Sequence, residues 1–418
     1  MFRLCTRQLR TNGLFHQSTR NISYTRLLRF PRDTSQLKPP ASAPIEPEAP
    51  SFANSVRPSI RNQVLFFLFG SSAVLLYSAL ATNIETAVVL EKLKAQSSIW
   101  SVQNITNVDL RRFQQSELVQ ELRSFYKHIN TQAKEIPHFI RPYVNTIYIA
   151  VFQPFVDASE GRRLCWKICL LNGGIWLLWQ FRRLQPMMNR AFVHHPLSGL
   201  SYTLLTSAFS HASFFHLAFN CLAIEGFGSA AATYLRSVQD KNEPDQLEST
   251  SAYHFITFYT SAAIFSSLVS HVASARIRYP KLIAQLSSPA STPPVTETWA
   301  SAVAAASTTT AKSAASTTAK SAMTLSGSLG ASGVAYSCLT MVALAYPGSQ
   351  ISLIFPPSAP IDIQTGLICL LALDMFGAYR GWKMFDHWAH LGGAAFGVLY
   401  YNHGSTLWSR ARTAMATE

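Results

Sequence analysis

Charge is scarce in this chain. Only 13% of its 418 residues are Asp, Glu, Lys or Arg, about half the share of an average soluble protein, while 48% are hydrophobic. That imbalance argues against an ordinary soluble multidomain protein and makes a membrane protein the natural reading. Cysteine is sparse as well. Cys5, Cys165, Cys169, Cys221, Cys338 and Cys369 fall mostly inside apolar segments, so neither a disulfide framework nor a metal cluster is expected. Cys165 and Cys169, one helical turn apart, read as small packing residues. The chain has no His-Glu-x-x-His, which a zinc metalloprotease requires. An aspartyl intramembrane protease needs two facing aspartates, and here only Asp374 lies clearly within an apolar segment, where it is read as facing a polar partner. A soluble α/β-hydrolase needs G-x-S-x-G, and the fifth position of GASGV is Val334. No repeat relates the two halves, which sets a transporter last.

Acidic residues are missing from the front. Seven arginines (Arg3, Arg7, Arg10, Arg20, Arg26, Arg29 and Arg32) precede the first acidic residue, Asp33, among Ser, Thr, Leu and Phe. That Arg-rich, acid-poor profile without a long apolar core predicts a mitochondrial transit peptide rather than a secretory signal or a nucleic-acid-binding arm. With the Pro/Ala linker that follows, it occupies residues 1–60.

From Asn62 to Ile84 no residue is charged, enough apolar chain to cross about 30 Å of hydrocarbon. Residues 61–84 are therefore expected to form a transmembrane helix. Residues 85–160 mix charges of both signs with Leu110, Phe113, Leu118, Leu122, Phe125 and Ile129 at near-helical spacing, an amphipathic segment for a membrane face or the bundle. Six further apolar segments follow, at roughly 164–181, 203–225, 252–275, 329–346, 361–379 and 384–402. A core domain over 161–403 is interrupted by a low-complexity insertion at 280–326, with near-duplicate octads STTTAKSA (307–314) and ASTTAKSA (315–322), and a tail follows at 404–418. The expected fold is all-α: a polytopic helical bundle with one extra N-terminal transmembrane helix before six core helices (1+6), its termini on opposite sides.

Three apolar segments carry polar residues that an anchoring helix would not need. In HASFFHLAFN, His216 and Asn220 are i and i+4 and share a helix face, with His211 more than a turn earlier near a rim. In GASGVAY, Ser332 and Tyr336 are again i and i+4. In DHWAHLGGAAFG, His390, Gly393 and Gly397 share a stripe, with His387 one turn before His390. The glycines would admit a neighbouring helix closely enough for His390 to touch it. Singly, such a serine reads as a helix cap and such glycines as packing. Their conjunction on separate segments supplies a nucleophile candidate, a base candidate and paired donors.

The ordered set HASFFHLAFN, GASGVAY and AHLGGAAFG resembles the rhomboid family of intramembrane serine proteases, and the run GWKMFDHWAHLGGAAFG with the 1+6 layout resembles its mitochondrial branch. The resemblance covers roughly residues 160–403. It implies a catalytic dyad of Ser332 and His390, oxyanion donors at His216 and Asn220, His211 at the rim of the same site, and Tyr336 packed beneath the imidazole. His387 receives no catalytic role. Without a carboxylate to orient His390, the ring of Tyr336 is expected to do so, and Gly330, Ala331 and Gly333 are expected to leave room for a substrate backbone. The implied partners are the lipid bilayer and single-span membrane proteins, including dynamin-like GTPases, with no cofactor, metal or nucleic acid. The implied location is the mitochondrial inner membrane. A rhomboid-like pseudoprotease that binds or escorts membrane clients is the alternative, and retention of both Ser332 and His390 favours the protease.

Overall fold

The structure is a computed structural model that describes residues 57–96, 105–135, 137–286, 325–352 and 357–416. The predicted transit peptide, most of the Pro/Ala linker and the octads of the insertion lie outside the described residues.

Helix α1 (Ile60–Gln96) is 37 residues long, about 55 Å at 1.5 Å per residue, so it exceeds the thickness of a bilayer core and runs well past the expected limit at residue 84. Its last turns meet α2 (Asn107–Gln132) through Val89, Leu110 and Phe113. Asp109 starts α2 by accepting hydrogen bonds from the Thr106 backbone N–H (3.0 Å) and hydroxyl (2.6 Å), which satisfies a donor otherwise unpaired at a helix end. Helix α3 (Arg141–Asp157) folds back on α2, with Tyr148 stacked on Phe152 at 4.5 Å and its hydroxyl donating to the Leu122 carbonyl at 2.6 Å.

The core is built from α4 (Glu160–Trp179), α5 (Phe214–Ala223) continued through a π turn, Ile224–Gly228, into α6 (Ser229–Asn242), α7 (Ala252–Ala273) continued through a second π turn into α8 (Tyr279–Leu286), then α9 (Ser332–Ala345), α10 (Ile363–Arg380) and α11 (His387–Ala414). A two-residue hairpin, Gln350–Ile351 with Ile361–Asp362, joins α9 to α10. Two helices are long and apolar enough to cross a membrane by length and composition: Ile60–Gln96 and Ala252–Gln285. Of the most apolar window of each, 72% is buried in the second and 11% in the first, so α7 is the central post and α1 stands at the periphery. Phe67 of α1 meets Phe265 of α7 edge-on at 5.3 Å. Gly161 lets α4 lie against Ala232 of α6.

Three further boundaries depart from the sequence reading. The segment expected at 203–225 is not one helix: a short turn, Thr203–Thr206, and a 3-10 turn, Ser207–Phe209, precede a bend, and the long helix starts at Phe214. Ser213 explains that start, since its hydroxyl accepts from the His216 N–H at 3.2 Å, the N-cap interaction expected of serine. The insertion begins as helix α8 rather than as loop. Residues 404–418 are not a free tail either, because α11 continues to Ala414 and buries Trp408 and Arg412. There Trp408 stacks on His254 at 4.5 Å, and Arg412 pairs with the buried Glu248 at 3.1 Å while donating to Asn83 of α1 at 2.9 Å. The polar end of α11 thus fastens α1 to the core.

Candidate active site

Ser332 is the first residue of α9. Its position follows from three anchors on the run before it. His194 and Ser328 exchange backbone hydrogen bonds at 2.9 and 3.0 Å, the Ser328 hydroxyl donates to Asp386 at 2.5 Å, and the Gly330 N–H donates to the Ser207 carbonyl at 2.9 Å. Gly330 has φ +126°, and a Cβ there would lie 2.8 Å from the His216 ring. Backbone conformation and the close imidazole both select glycine.

His390 lies in the first turn of α11. Its Nε2 is 2.8 Å from Ser332 Oγ, and the ring is stacked on Tyr336 with centroids 4.4 Å apart and planes 10° apart. Behind the ring stands Asp374 of α10, whose Oδ1 is 3.0 Å from His390 Nδ1. The expectation that no carboxylate orients this histidine is therefore corrected. An Nδ1–H directed at the carboxylate fixes the tautomer and leaves Nε2 to accept the serine proton. Asp374 is itself held: His387 Nδ1 reaches the same Oδ1 at 2.5 Å, and the Tyr336 hydroxyl donates to Oδ2 at 2.5 Å. Tyr336 thus acts through both its face and its hydroxyl, and His387, left without a role by the motif, braces the carboxylate.

The ligating atoms of Asp374, His387 and His390 lie within 4.8 Å of one another, a spacing one divalent ion could use. Both imidazoles, however, meet one carboxylate oxygen through Nδ1, and His390 Nε2 is engaged with Ser332. The hydrogen bonds alone account for the arrangement.

On the far side of Ser332, the Ala212 N–H donates to His216 Nδ1 at 3.4 Å, so the neutral ring carries its proton on Nε2, the nitrogen next to Gly330. Asn220 is buried and its amide donates to the His216 carbonyl at 2.8 Å; one amide hydrogen remains. His211 is 1% exposed and packs edge-on against His216 at 5.1 Å, so it stands behind the site rather than at a rim. A cavity of about 530 Å³ opens here, lined by His216, Ser270, Asp386, Trp388 and Phe385. The exposed Met384 and Phe385 stand at its mouth.

Gly333 serves a different purpose from the one expected, whereas Gly393 and Gly397 admit a neighbouring helix as their spacing predicts. A Cβ on Gly333 would strike Ser266 of α7, one on Gly393 would land on the Gly333 carbonyl, and one on Gly397 would lie 2.6 Å from the Ser337 carbonyl. Gly333 is filled by helix packing and leaves no room for a peptide; with Gly393 and Gly397 it lets α9 and α11 touch backbone to backbone. Ser337 ties the contact, donating to the Gly393 carbonyl at 2.7 Å. Gly393→Ala is accordingly expected to push α11 away from α9, lowering stability by about 1–3 kcal/mol and cleavage of a membrane reporter more than about tenfold. Gly348→Ala, where a Cβ would meet nothing within 4 Å, serves as the control. Equal thermal unfolding and equal rates for the two variants would refute this account of the glycine stripe.

Sequence reading gave Asp374 a polar partner but no place in the site, and it missed the anchors Asp386 and His194. The one available signal for Asp374 was its cost, since a lone carboxylate in an apolar span demands partners.

A helical bundle in which a serine hydroxyl meets a histidine ring at the first turns of two helices defines a class, the all-α membrane proteins with an internal Ser–His pair. Residues 198–291 and 295–404 match the Rhomboid domain model, so the chain carries a Rhomboid domain. It is 29% identical over 251 residues to the mouse (Mus musculus) mitochondrial presenilin-associated rhomboid-like protein, covering 60% of this chain and 50% of that one. The human (Homo sapiens) counterpart is 29% identical over 253 residues, 60% of this chain and 51% of that one. The mitochondrial rhomboid protein 1 of Saccharomyces cerevisiae is 28% identical over 231 residues, 54% and 48% respectively. The chain thus spans about half the length of the curated relatives it matches. No solved structure matches it.

Proposed function

We propose that this protein is an intramembrane serine endopeptidase of the mitochondrial inner membrane, multi-pass with a 1+6 layout, that cleaves single-span membrane proteins, dynamin-like GTPases among them, and needs no metal or cofactor. The observation that carries the reading is the 2.8 Å contact between Ser332 Oγ and His390 Nε2, backed by Asp374. The names of the relatives carry the word mitochondrial, in keeping with the Arg-rich leader.

In the proposed reaction His390 takes the hydroxyl proton as Ser332 Oγ attacks the scissile carbonyl. Asp374 stabilises the imidazolium that forms, without itself taking the proton. The oxyanion is met by His216 Nε2–H, the second amide hydrogen of Asn220 and the Ser332 backbone N–H, which lies in a first helical turn where no intrahelical acceptor exists. Protonated His390 then delivers its proton to the leaving amine. Water from the cavity lined by His216 and Ser270 repeats the sequence on the acyl enzyme. A substrate helix must unwind before attack, because its peptide bonds are sequestered by their own hydrogen bonds. Segments carrying glycine or proline near the scissile bond are therefore favoured.

The test is incubation of the purified full chain in detergent with a single-span reporter carrying such a segment. One new product pair, blocked by a serine-directed fluorophosphonate that labels Ser332, is the expected result. Reporter bound but left intact would replace the protease by the client-binding pseudoprotease.

A further inference from the structure

A second cavity, of about 570 Å³, lies between the N-terminal helices and the core, walled by α2, α4 and α6. It is near Ser249, just before α7 begins, whereas the candidate active site adjoins Ser270 near the end of α7. About 30 Å of helix therefore separates the two sites. Its wall carries four guanidinium groups, those of Arg111, Arg112, Arg163 and Arg236, against two carboxylates, Glu160 and Asp240.

Both carboxylates are already committed. Asp240 accepts both Arg111 donors, at 2.6 and 2.8 Å, and the Asn107 amide at 2.8 Å. Glu160 accepts from the Thr250 hydroxyl and from the Ser251 N–H and hydroxyl at 2.9 and 3.0 Å. Arg163 hydrogen-bonds only a neutral group, Gln115 Oε1 at 2.9 Å, and lies over the Phe155 ring at 5.7 Å, with Glu160 attracting it through space. Arg112 and Arg236 make no hydrogen bond among the described residues and feel Asp109 and Asp240 only through space, and Arg111 Nε is buried without a partner. The wall thus carries two more guanidinium groups than carboxylates, with Asp109, outside it, a further acid near Arg112. Its unused donors are planar forks of the kind that match phosphate oxygens.

We propose that this cavity binds a phosphate group and so pins α2 to α4 and α6. The source is either the headgroup of an anionic phospholipid, drawn to a basic site where helices leave the bilayer, or free phosphate. The inference goes beyond the proteolysis reading, and its readout involves no cleavage.

The full chain in neutral detergent is titrated with short-chain phosphatidylglycerol, short-chain phosphatidylcholine and inorganic phosphate, with bound species counted by native mass spectrometry. Expected is retention of phosphatidylglycerol over phosphatidylcholine and slower amide exchange across residues 107–118 of α2. The double variant Arg112→Gln, Arg236→Gln should weaken binding at least tenfold while leaving thermal unfolding of the unliganded protein unchanged. Arg182→Gln with Arg183→Gln, outside the cavity, should change neither. Displacement of the lipid by millimolar phosphate assigns the site to the free anion, and resistance assigns it to lipid. Equal retention of both phospholipids together with no binding of inorganic phosphate, or undiminished binding by the double variant, overturns the proposal.

Discussion

Alanine at Ser332 or at His390 is expected to lower cleavage of the single-span reporter at least about 10,000-fold, with helix content and thermal unfolding close to wild type. Nucleophile and base act as one unit, so removing either costs nearly as much as removing both. Ser332 is half-buried and uses its hydroxyl for the 2.8 Å contact with His390, so its loss removes chemistry and little packing. His390 is different, because its ring fills the space between Tyr336 and Asp374. His390→Gln, which retains more of that volume, is the companion variant. The double variant Ser332→Ala, His390→Ala should be no slower than either single one. Rates that multiply in the double variant, or a single variant retaining a tenth of wild-type activity, would mean that the pair is not the catalytic unit.

Asp374→Asn is expected to reduce kcat about 100-fold or more, roughly 2.7 kcal/mol of transition-state stabilisation, with KM within about threefold. The carboxylate receives Tyr336 on one oxygen and both His387 and His390 on the other. An amide keeps one acceptor and turns a donor toward groups that are themselves donors. It also removes the counter-charge for the imidazolium, which a substrate meets only as the transition state forms, so the loss falls on kcat. Tyr336→Phe tests the alternative that stacking alone orients His390: it keeps the ring and deletes only the bond to Asp374. Full kcat in the Asp374→Asn variant, together with failure of Tyr336→Ala, would return the orienting role to the stacked ring.

The contrast between these positions explains what could be read from the chain. Ser332 with Tyr336, and His216 with Asn220, are spaced i and i+4, so the helix itself brings each pair to one face and the pattern survives in the linear sequence. Asp374 meets His390 only because α10 packs beside α11, a tertiary event with no sequence period. Gly333 was misread for a related reason. Smallness marks close approach but not what approaches, and here α11 and α7 do so rather than a substrate. The extra N-terminal helix was legible from twenty-odd uncharged residues, since hydrophobic length alone dictates it. The helical fate of residues 404–414 was not, because Trp408 and Arg412 become buried only once His254 and Glu248 are in place.

The anchors on residues 328–330 have one more consequence. Ser332, the proposed nucleophile, is located by contacts to His194, Ser207 and Asp386, all of which bind the chain after the insertion has ended. The described residues on either side of the insertion can therefore be regarded as two pieces that meet through side chains and backbone. A fragment ending at α8 and another beginning just before Ser328 hold complementary halves of the proposed reaction centre, His216 and Asn220 on the first, Ser332, Asp374 and His390 on the second.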